Sequence, residues 1–278
     1  MSGIDTSCET VTAGAVVTQG IPFDEYSSFM RGAASAPWHI REALYSDSSN
    51  LWSESGIDLA EDHRFMDVGD ITLTDDTHVF TTIETATTRH LERGARVLSL
   101  GGDHSITYPL VRAFGRKYTT MNLLQFDAHP DLYDEFDGNR HSHACPFARI
   151  MEESLASRLV QVGIRTANRH QREQAERFGV KMIEMRHLHA GTSLKFDGPL
   201  YLSLDLDVFD PAFAPGVSHH EPGGVSVRDV LDMITAINMP IVGADIVEYN
   251  PVRDQNGMTA MVAAKLLKEI AARMLEPA

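Results

Sequence analysis

Short apolar runs alternate with stretches in which apolar residues recur every three or four positions along most of this 278-residue chain. The short runs are typical of buried strands and the longer stretches of amphipathic helices. Regular alternation of the two predicts a mainly parallel sheet covered by helices on both faces. The predicted strands begin near residue 13 and cover 64–68, 97–100, 122–126, 159–162, 180–184, 200–206 and 241–247. The predicted helices cover 77–93, 106–114, 146–153, 167–178, 227–238 and 258–274, with one more opened by Pro37.

The chain shows no internal repeat, no low-complexity run and no linker that would divide it. Large α/β folds often contain about 250 residues in a single unit, so we expect one domain over residues 1–278. The first twelve residues are small and polar, and we expect residues 1–12 to form a flexible tail.

Side chains that bind metal ions follow four of the predicted strands, each at the point where the strand ends. Because the carboxyl ends of parallel strands meet at one edge of a sheet, we expect these side chains to lie close together. Buried carboxylates at such a position need a charged, hydrogen-bonding or metal partner, since their desolvation is costly. The residues are His104 after the strand at 97–100, Asp127, His129 and Asp131 after 122–126, Asp205 and Asp207 after 200–204, and Glu248 after 241–247.

Two histidines with four aspartates suit a pair of divalent ions, and manganese in particular. Zinc sites more often contain cysteine, and magnesium sites rarely contain histidine. The sequence therefore predicts a site for two Mn²⁺ ions per chain.

The net charge of −15 and the pI near 5.2 argue against a nucleic-acid or anionic-membrane surface and are compatible with a cationic substrate. The chain has only two cysteines, Cys8 and Cys145, which fits a reducing compartment. No apolar run approaches the roughly 18 residues that span a bilayer, and the N-terminus lacks the pattern of a signal peptide. We therefore expect a cytoplasmic protein with no membrane or nucleic-acid partner.

Four sequence motifs resemble the signature of the ureohydrolases, the family of arginases and agmatinases. They are Gly-Gly-Asp-His-Ser at 101–105, Asp-Ala-His-Pro-Asp at 127–131, Ser-Leu-Asp-Leu-Asp-Val-Phe-Asp-Pro-Ala-Phe-Ala-Pro-Gly at 203–216 and Glu-Tyr-Asn-Pro at 248–251. The resemblance implies a three-layer αβα sandwich, a binuclear manganese site, and hydrolysis of a guanidinium group to urea and an amine. It also implies a homotrimer or homohexamer.

The resemblance assigns roles to individual residues. It implies one metal ion bound by His104, Asp127, Asp131 and Asp205, and a second bound by His129, Asp127, Asp205 and Asp207. Asp127 and Asp205 would bridge the two ions. In the same comparison Asp131 is the candidate for relaying a proton to the departing nitrogen, and Glu248 matches the carboxylate that holds the guanidinium group.

The loop at 137–147 contains Ser-His-Ala-Cys-Pro-Phe, which is similar to a segment of agmatinase-like members. His143 there matches the family's proton-shuttle histidine, and an imidazole that titrates near pH 6.5 suits this task. His141 is the competing candidate, and Asn139 and His141 are candidates for binding the substrate. His219 and His220 lie in a loop between glycines and prolines. A contact with substrate, a contact with a neighbouring subunit and a mobile polar loop without a role are the alternatives for them.

The substrate is expected to be a small cationic guanidino compound. Agmatine, cleaved to putrescine and urea, is the first expectation, because the 142–147 segment is agmatinase-like. Arginine is the second, since the same run and the Val-Gly-Ile-Arg segment also resemble plant-type arginases. Guanidinobutyrate and guanidine itself are further candidates.

Three other functions are possible. Cys145 lies two residues from His143, so a thiolate that attacks a guanidinium carbon is one alternative. An inactive partner subunit is a second, although such a chain should have lost metal ligands. A zinc deacetylase is a third, but it uses a single metal ion, against which two bridging aspartates argue.

Overall fold

The computed structural model describes residues 11–73, 78–189 and 191–276, and eight strands and seven α-helices lie within these ranges. The strands are β1 (Val16–Gly20), β2 (Phe65–Asp70), β3 (Arg96–Leu100), β4 (Asn122–Phe126), β5 (Arg158–Ile164), β6 (Lys181–Glu184), β7 (Leu200–Asp205) and β8 (Ile241–Val247). The helices are α1 (Ala36–Leu44), α2 (Val79–Glu92), α3 (Thr107–Gly115), α4 (Pro146–Glu152), α5 (Arg169–Phe178), α6 (Val227–Thr235) and α7 (Met258–Leu275).

All eight strands form one sheet in the order β2-β1-β3-β8-β7-β4-β5-β6, and every neighbouring pair is parallel. Helices α1, α6 and α7 supply the apolar layer on one face, and α2, α3, α4 and α5 supply the layer on the other. Both faces of the sheet are covered, which explains why the strands are apolar almost throughout. The predicted α/β class, the parallel sheet and the three layers are confirmed.

The strand order places a crevice at the centre of the sheet. Strands β3 and β4 follow each other in the chain, but β8 and β7 lie between them. In open parallel sheets, ligands bind beyond the carboxyl ends of the strands at the point where the strand order reverses. The four strand ends that carry the candidate ligands are those of β3, β8, β7 and β4, and they are neighbours at this crevice.

A row of buried polar side chains crosses the sheet on the face covered by α2 to α5. Neighbouring strands contribute residues that are paired in register, and each of these residues is at most 1% exposed. Residues on either side of the row in sequence point to the opposite face, because side chains alternate along a strand. This polar row consists of Gln19, Ser99, Asp245, Ser203, Gln125 and Gln161, in spatial order.

Observed and predicted boundaries differ where side chains cap an element. Strand β7 ends at Asp205 because its carboxylate accepts a hydrogen bond from the amide of Asp207 and starts a 3-10 turn. Helix α5 begins at Arg169 because Asn168 and Gln171 form a capping box ahead of it. The predicted tail over 1–12 lies mostly outside the described residues, although Val11 is buried. A single domain over the whole chain stays a prediction.

Candidate metal centre

A first group of metal-ligating side chains surrounds His104 at the carboxyl edge of the sheet. Its Nδ1 atom lies 3.2 Å from Asp127 Oδ2, 3.0 Å from Asp131 Oδ2 and 3.1 Å from Asp205 Oδ2. All four residues are buried, and their candidate ligand atoms lie within 4.8 Å of one another. One nitrogen and three carboxylate oxygens therefore converge on one point.

A second group surrounds His129, whose side chain is 24% exposed. His129 Nδ1 lies 2.8 Å from Asp207 Oδ2 and 3.5 Å from Asp127 Oδ1. The ligand atoms of these three residues again lie within 4.8 Å of one another. Because Asp127 belongs to both groups, its two oxygens reach toward two adjacent positions. Asp205 belongs to the first group only, so its predicted second bridge stays a prediction.

Backbone and amide donors fix the direction of the shared carboxylate. Asp127 follows β4 directly, and its Oδ1 accepts a 2.6 Å hydrogen bond from the amide of His129. Its Oδ2 accepts a 2.6 Å hydrogen bond from Gln125 Nε2, a member of the polar row. Gln125 is in turn bonded by Gln161, the next residue of the row, at 2.6 Å. The row therefore supports the ligand that both groups share.

The polar row also fixes the ring of His104. His104 Nε2 lies 3.0 Å from Ser203 Oγ, and Ser203 donates its hydroxyl hydrogen to Asp245 Oδ1 at 2.7 Å. Ser203 therefore accepts from the protonated Nε2, and in the neutral ring this leaves Nδ1 with a lone pair directed at the three aspartates. This buried Nδ1 forms no hydrogen bond with any described residue. A buried lone pair facing carboxylates is poorly satisfied by hydrogen bonding but well satisfied by a divalent cation, so the residues fit a bound metal.

Two carboxylates of the site occupy left-handed backbone conformations. Asp131 has φ 49° and Glu248 has φ 63°. Such conformations cost non-glycine residues about 1–3 kcal/mol and are concentrated at functional sites. Asp131 directs its carboxylate at His104, and Glu248 directs its carboxylate between β3 and the 137–147 loop.

Glu248 and His143 form a buried pair beside the two groups. Glu248 Oε1 accepts from the amide of His104 at 2.8 Å and lies 2.9 Å from His143 Nδ1. Burial alone lowers the pKa of His143, but the negative charge of Glu248 and their hydrogen bond raise that pKa to about 9. Burial raises and His143 lowers the pKa of Glu248, with a net decrease. At neutral pH this pair therefore consists of an imidazolium and a carboxylate.

The carboxylates around His104 repel one another. Burial and the charge of Asp127 raise the pKa of Asp131 to about 6. Burial, Asp207 and Asp127 raise the pKa of Asp205 well above its ordinary value. A cation bound among these groups offsets this repulsion and keeps the carboxylates ionised.

A cavity of about 260 Å³ opens above the two groups. Its walls include six of the predicted site residues, and Asp127 and His104 lie beneath it as buried residues. The predicted residues on the walls are His129, Asp131, His143, Asp205, Asp207 and Glu248. The remaining walls are formed by Ser28, Tyr133, Phe136, Ala144, Thr166, Gln171 and His219.

Asn139, His141 and Cys145 are not on these walls. Asn139 accepts from the amide of His141 at 2.8 Å, and the ring of His141 packs against Phe80 and Tyr108. The thiol of Cys145 is buried, and burial raises its pKa to about 12, so it is protonated and a poor nucleophile. Substrate binding by Asn139 or His141 stays a prediction, and this geometry does not favour it.

Three residues that contact the site received no role from the sequence alone. Ser28 contacts His143, and Ser203 with Asp245 supports His104. His219, for which a contact with substrate was one expectation, lies across the cavity, with its ring 5.6 Å from that of His129 and 5.4 Å from that of His143. Ser203 and Asp245 could have been recognised in the sequence, because each is a polar residue inside an otherwise apolar strand and such residues need a buried partner. Ser28 carries no comparable local signal.

The model of the Arginase family matches residues 14–272 of this chain. Among curated proteins, "Arginase 1, mitochondrial" of Arabidopsis thaliana is 47% identical over 275 residues, covering 92% of this chain and 80% of that protein. An "Agmatinase" of Bacillus anthracis is 32% identical over 266 residues, covering 92% of this chain and 90% of that protein.

Solved structures agree with the sequence comparisons. The arginase from Medicago truncatula superposes with a TM-score of 0.89 at 45% identity, covering 95% of this chain and 88% of that chain. The agmatine ureohydrolase of Thermoplasma volcanium superposes with a TM-score of 0.83 at 33% identity, covering 99% and 94%.

The expected cytoplasmic location is wrong. Five of the plant relatives carry the words mitochondrial or chloroplastic in their names, which place those proteins in organelles rather than in the cytoplasm. Over the described residues, no helix is both long enough and apolar enough to cross a membrane. The family match and the relatives above 30% identity together establish that this chain belongs to the arginase family, as a hydrolase of the arginase or agmatinase type that acts on guanidino compounds.

Proposed function

We propose that this chain hydrolyses the guanidinium group of L-arginine to L-ornithine and urea with the help of two Mn²⁺ ions. The observation that carries the proposal is the pair of ligand groups that share Asp127 and lie beneath a cavity bordered by Glu248. Relatives named arginase are 45–47% identical to the chain, whereas those named agmatinase are 32% identical. This difference favours arginine over agmatine, although agmatine was the first expectation from the sequence.

Residues of the two groups would hold the ions. His104, Asp131 and Asp205 would bind one, His129 and Asp207 the other, and Asp127 both. Mixed imidazole and carboxylate donors suit Mn²⁺, which accepts oxygen and nitrogen ligands. When bound, such a pair supplies Lewis-acid charge and lowers the pKa of water toward neutrality.

Glu248 is placed to bind the guanidinium group. Both hydrogen bonds that it accepts from described residues, from the His104 amide and from His143, fall on Oε1. Oε2 is therefore open to a guanidinium N–H, and the resulting charge-assisted hydrogen bond would orient the planar group over the ligand cluster. Asp131, on the cavity wall, is placed to move a proton toward the departing nitrogen.

The cavity walls outside the predicted site residues support a zwitterionic substrate. They include the uncharged Tyr133, Phe136, Thr166 and Gln171, with His219, whose pKa is lowered mainly by burial. The distal ammonium of agmatine would be desolvated there without a carboxylate partner, which is costly. The α-amino and α-carboxylate groups of arginine together carry no net charge. Hydroxyl and amide side chains can accept hydrogen bonds from the first group and donate hydrogen bonds to the second.

We also expect a homotrimer or homohexamer. Large apolar side chains are more than half exposed on the single chain, among them Trp38 (54%), Trp52 (57%) and Val252 (79%). Contact between copies would remove such surface from water. Light scattering after size exclusion measures the assembly directly.

The function is tested by urea release from the manganese-loaded protein, with a metal-stripped sample as control. The substrates to compare are L-arginine, agmatine, guanidinobutyrate and guanidine. We expect metal-dependent urea with the highest kcat/KM on L-arginine. A preference for agmatine would keep the reaction class and refute the argument from the uncharged cavity walls. No urea from any of the four, with two metal ions bound per chain, would refute the proposed function.

A further inference from the structure

Both ring nitrogens of His143 are engaged. Nδ1 is bonded to Glu248 Oε1 at 2.9 Å, on the side that faces the sheet. Nε2 lies 2.7 Å from Ser28 Oγ and 3.1 Å from the amide nitrogen of Ser28, which donates to it when the ring is neutral. Because neither nitrogen points freely into the cavity, the imidazole has no direct path for handing a proton to a bound molecule.

Ser28 itself lies on the cavity wall and is exposed. A serine hydroxyl both donates and accepts, so it can bond an imidazole in either protonation state without moving. It can accept from the protonated Nε2 while it donates to a group in the cavity, and later donate to the neutral Nε2. The backbone amide of Ser28 favours the neutral ring, because an N–H can only donate. Ser28 therefore lies between His143 and the cavity, and its hydroxyl can accept a proton from the imidazole while it donates its own to the cavity.

The segment that carries Ser28 is held in place by buried contacts on both sides. Asp103, which is fully buried, accepts from the amide of Tyr26 at 2.9 Å, and Asp24 accepts from the amide of Gly32 at 2.7 Å. The backbones of Gly102 and Phe23 are so close that a side chain at position 102 would meet the Phe23 carbonyl oxygen at 1.6 Å. The hydroxyl is thus presented to Nε2 by a braced backbone rather than by a freely moving loop.

We propose that Ser28 is a catalytic proton relay between His143 and the leaving amine, a role that rests on the proposed function. As the bond between the guanidinium carbon and the substrate nitrogen breaks, its electron pair remains on that nitrogen, which takes its first proton through Asp131 and leaves as a neutral amine. This amine takes the hydroxyl proton of Ser28 to become an ammonium group, and Ser28 Oγ takes the Nε2 proton of His143. The imidazole is left neutral, with its remaining proton on Nδ1 toward Glu248, and solvent returns a proton before the next turnover.

Other charged or titratable groups face His143 from the surrounding elements. Glu248 follows β8, Asp103 follows β3 and Asp131 follows β4, and each raises the pKa of the imidazole. His219, whose ring is 5.4 Å away, comes from the loop after β7. Among the described residues, the hydrogen bonds of the His143 ring go to Ser28 and Glu248 and not to His219, so Ser28 is the side chain placed for the transfer.

The test compares three variants of the manganese-loaded protein on its best substrate. In Ser28→Ala the relay hydroxyl is lost, and in Ser28→Thr it is kept. Ser27→Ala removes the neighbouring hydroxyl, which lies 3.5 Å from Asp103 rather than beside His143, and is the matched control. We expect kcat to fall at least about tenfold in Ser28→Ala, at the low end of general acid–base effects because water can partly replace the hydroxyl. KM and metal content should change little, and Ser28→Thr and Ser27→Ala should stay within about threefold of the wild type.

The solvent isotope effect separates a relay from a purely structural role. If proton delivery becomes the slow step, kcat in Ser28→Ala should show a larger D₂O effect than in the wild type. A wild-type kcat and isotope effect in Ser28→Ala would overturn the relay and leave the proposed function intact. An equal loss in Ser28→Thr and Ser28→Ala would overturn it as well. If the wild type itself released no urea, the proposed function would fail first and the relay with it.

Discussion

The two halves of the metal centre differ in how they meet solvent. The side chain of His104 is 0% exposed, packs against Phe147 and is supported from below by Ser203 and Asp245. The side chain of His129 is 24% exposed, and its Nε2 lies 3.8 Å from the partly exposed Glu221. One half is thus closed and supported by the polar row, while the other faces the cavity mouth.

This difference predicts that the two halves differ in how tightly they bind a metal ion and in how easily solvent reaches that ion. Ligands held in place before binding lose little freedom when a cation arrives, so the His104 half should retain its ion more tightly. The more exposed half should exchange its ion more readily.

Asp127→Asn should have the largest effect, because Asp127 alone belongs to both ligand groups. We expect both ions to be lost and urea release to fall by more than about a thousandfold, as is typical when a metal's activating role is removed. Metal content by mass spectrometry and a urea assay measure this. Asp134→Asn is the matched control, because its side chain is 45% exposed and outside both groups. Retention of two ions by Asp127→Asn would contradict the shared-ligand geometry.

His104→Ala and His129→Ala should each leave about one ion, but with unequal effects on stability. In the metal-stripped protein, burial lowers the pKa of His104, but the three aspartates raise it well above its ordinary value, so the imidazolium is their charge partner. Removing His104 leaves these buried carboxylates without that partner, which costs about 3–5 kcal/mol. Removing the more exposed His129 should cost less. Guanidinium chloride unfolding of the metal-stripped variants measures the difference. Equal destabilisation by the two variants would contradict the difference in burial between the His104 half and the His129 half.

Ser203→Ala should weaken metal binding without unfolding the protein. Loss of a residue that orients a metal-ligating histidine typically lowers metal affinity about 10–100-fold. Ser99→Ala is the control, because Ser99 lies in the same polar row but bonds Gln19 rather than a metal ligand. Titration calorimetry with Mn²⁺ distinguishes the two variants. A similar loss of affinity in both would assign the effect to general disturbance of the sheet.

The pKa of His143 should respond to Glu248. NMR titration of the imidazole should give a pKa of about 9 in the wild type. In Glu248→Gln it should fall toward or below the ordinary 6.5, since burial then dominates. Because the folded-state pKa is raised, the pair contributes stability that is fully present below about pH 6.5 and is lost as pH rises through about 9. An unchanged pKa in Glu248→Gln would refute the electrostatic coupling.

Cys145→Ser should have the smallest effect. The thiol is buried, off the cavity walls and protonated at neutral pH, so we expect turnover within about threefold of the wild type, as for isosteric changes remote from a site. Slow alkylation by iodoacetamide at pH 8 would agree with the raised pKa. Complete loss of activity in Cys145→Ser, with both ions still bound, would instead support thiol chemistry.

The fold and the ligand groups were predictable because their signals are local. Apolar runs marked the strands, and ligating residues such as Asp127 and Asp205 follow their strands directly. The relay residue was not predictable, since Ser28 and His143 are 115 positions apart in the chain. The support of His104 by Ser203 and Asp245 depends on strand order and register, which periodicity does not specify. Substrate choice depends on loop residues that meet only in the folded chain.

The polar row has a consequence for how the sheet assembles. A shift of one strand by a single residue would turn its row member to the opposite face, into the apolar layer of α1, α6 and α7. An unpaired buried polar group there costs about 1–3 kcal/mol, and a charged one such as Asp245 costs more. Parallel strands with uniformly apolar side chains would lack this penalty. The same side chains that support the metal ligands therefore also discourage misaligned pairing while the protein folds.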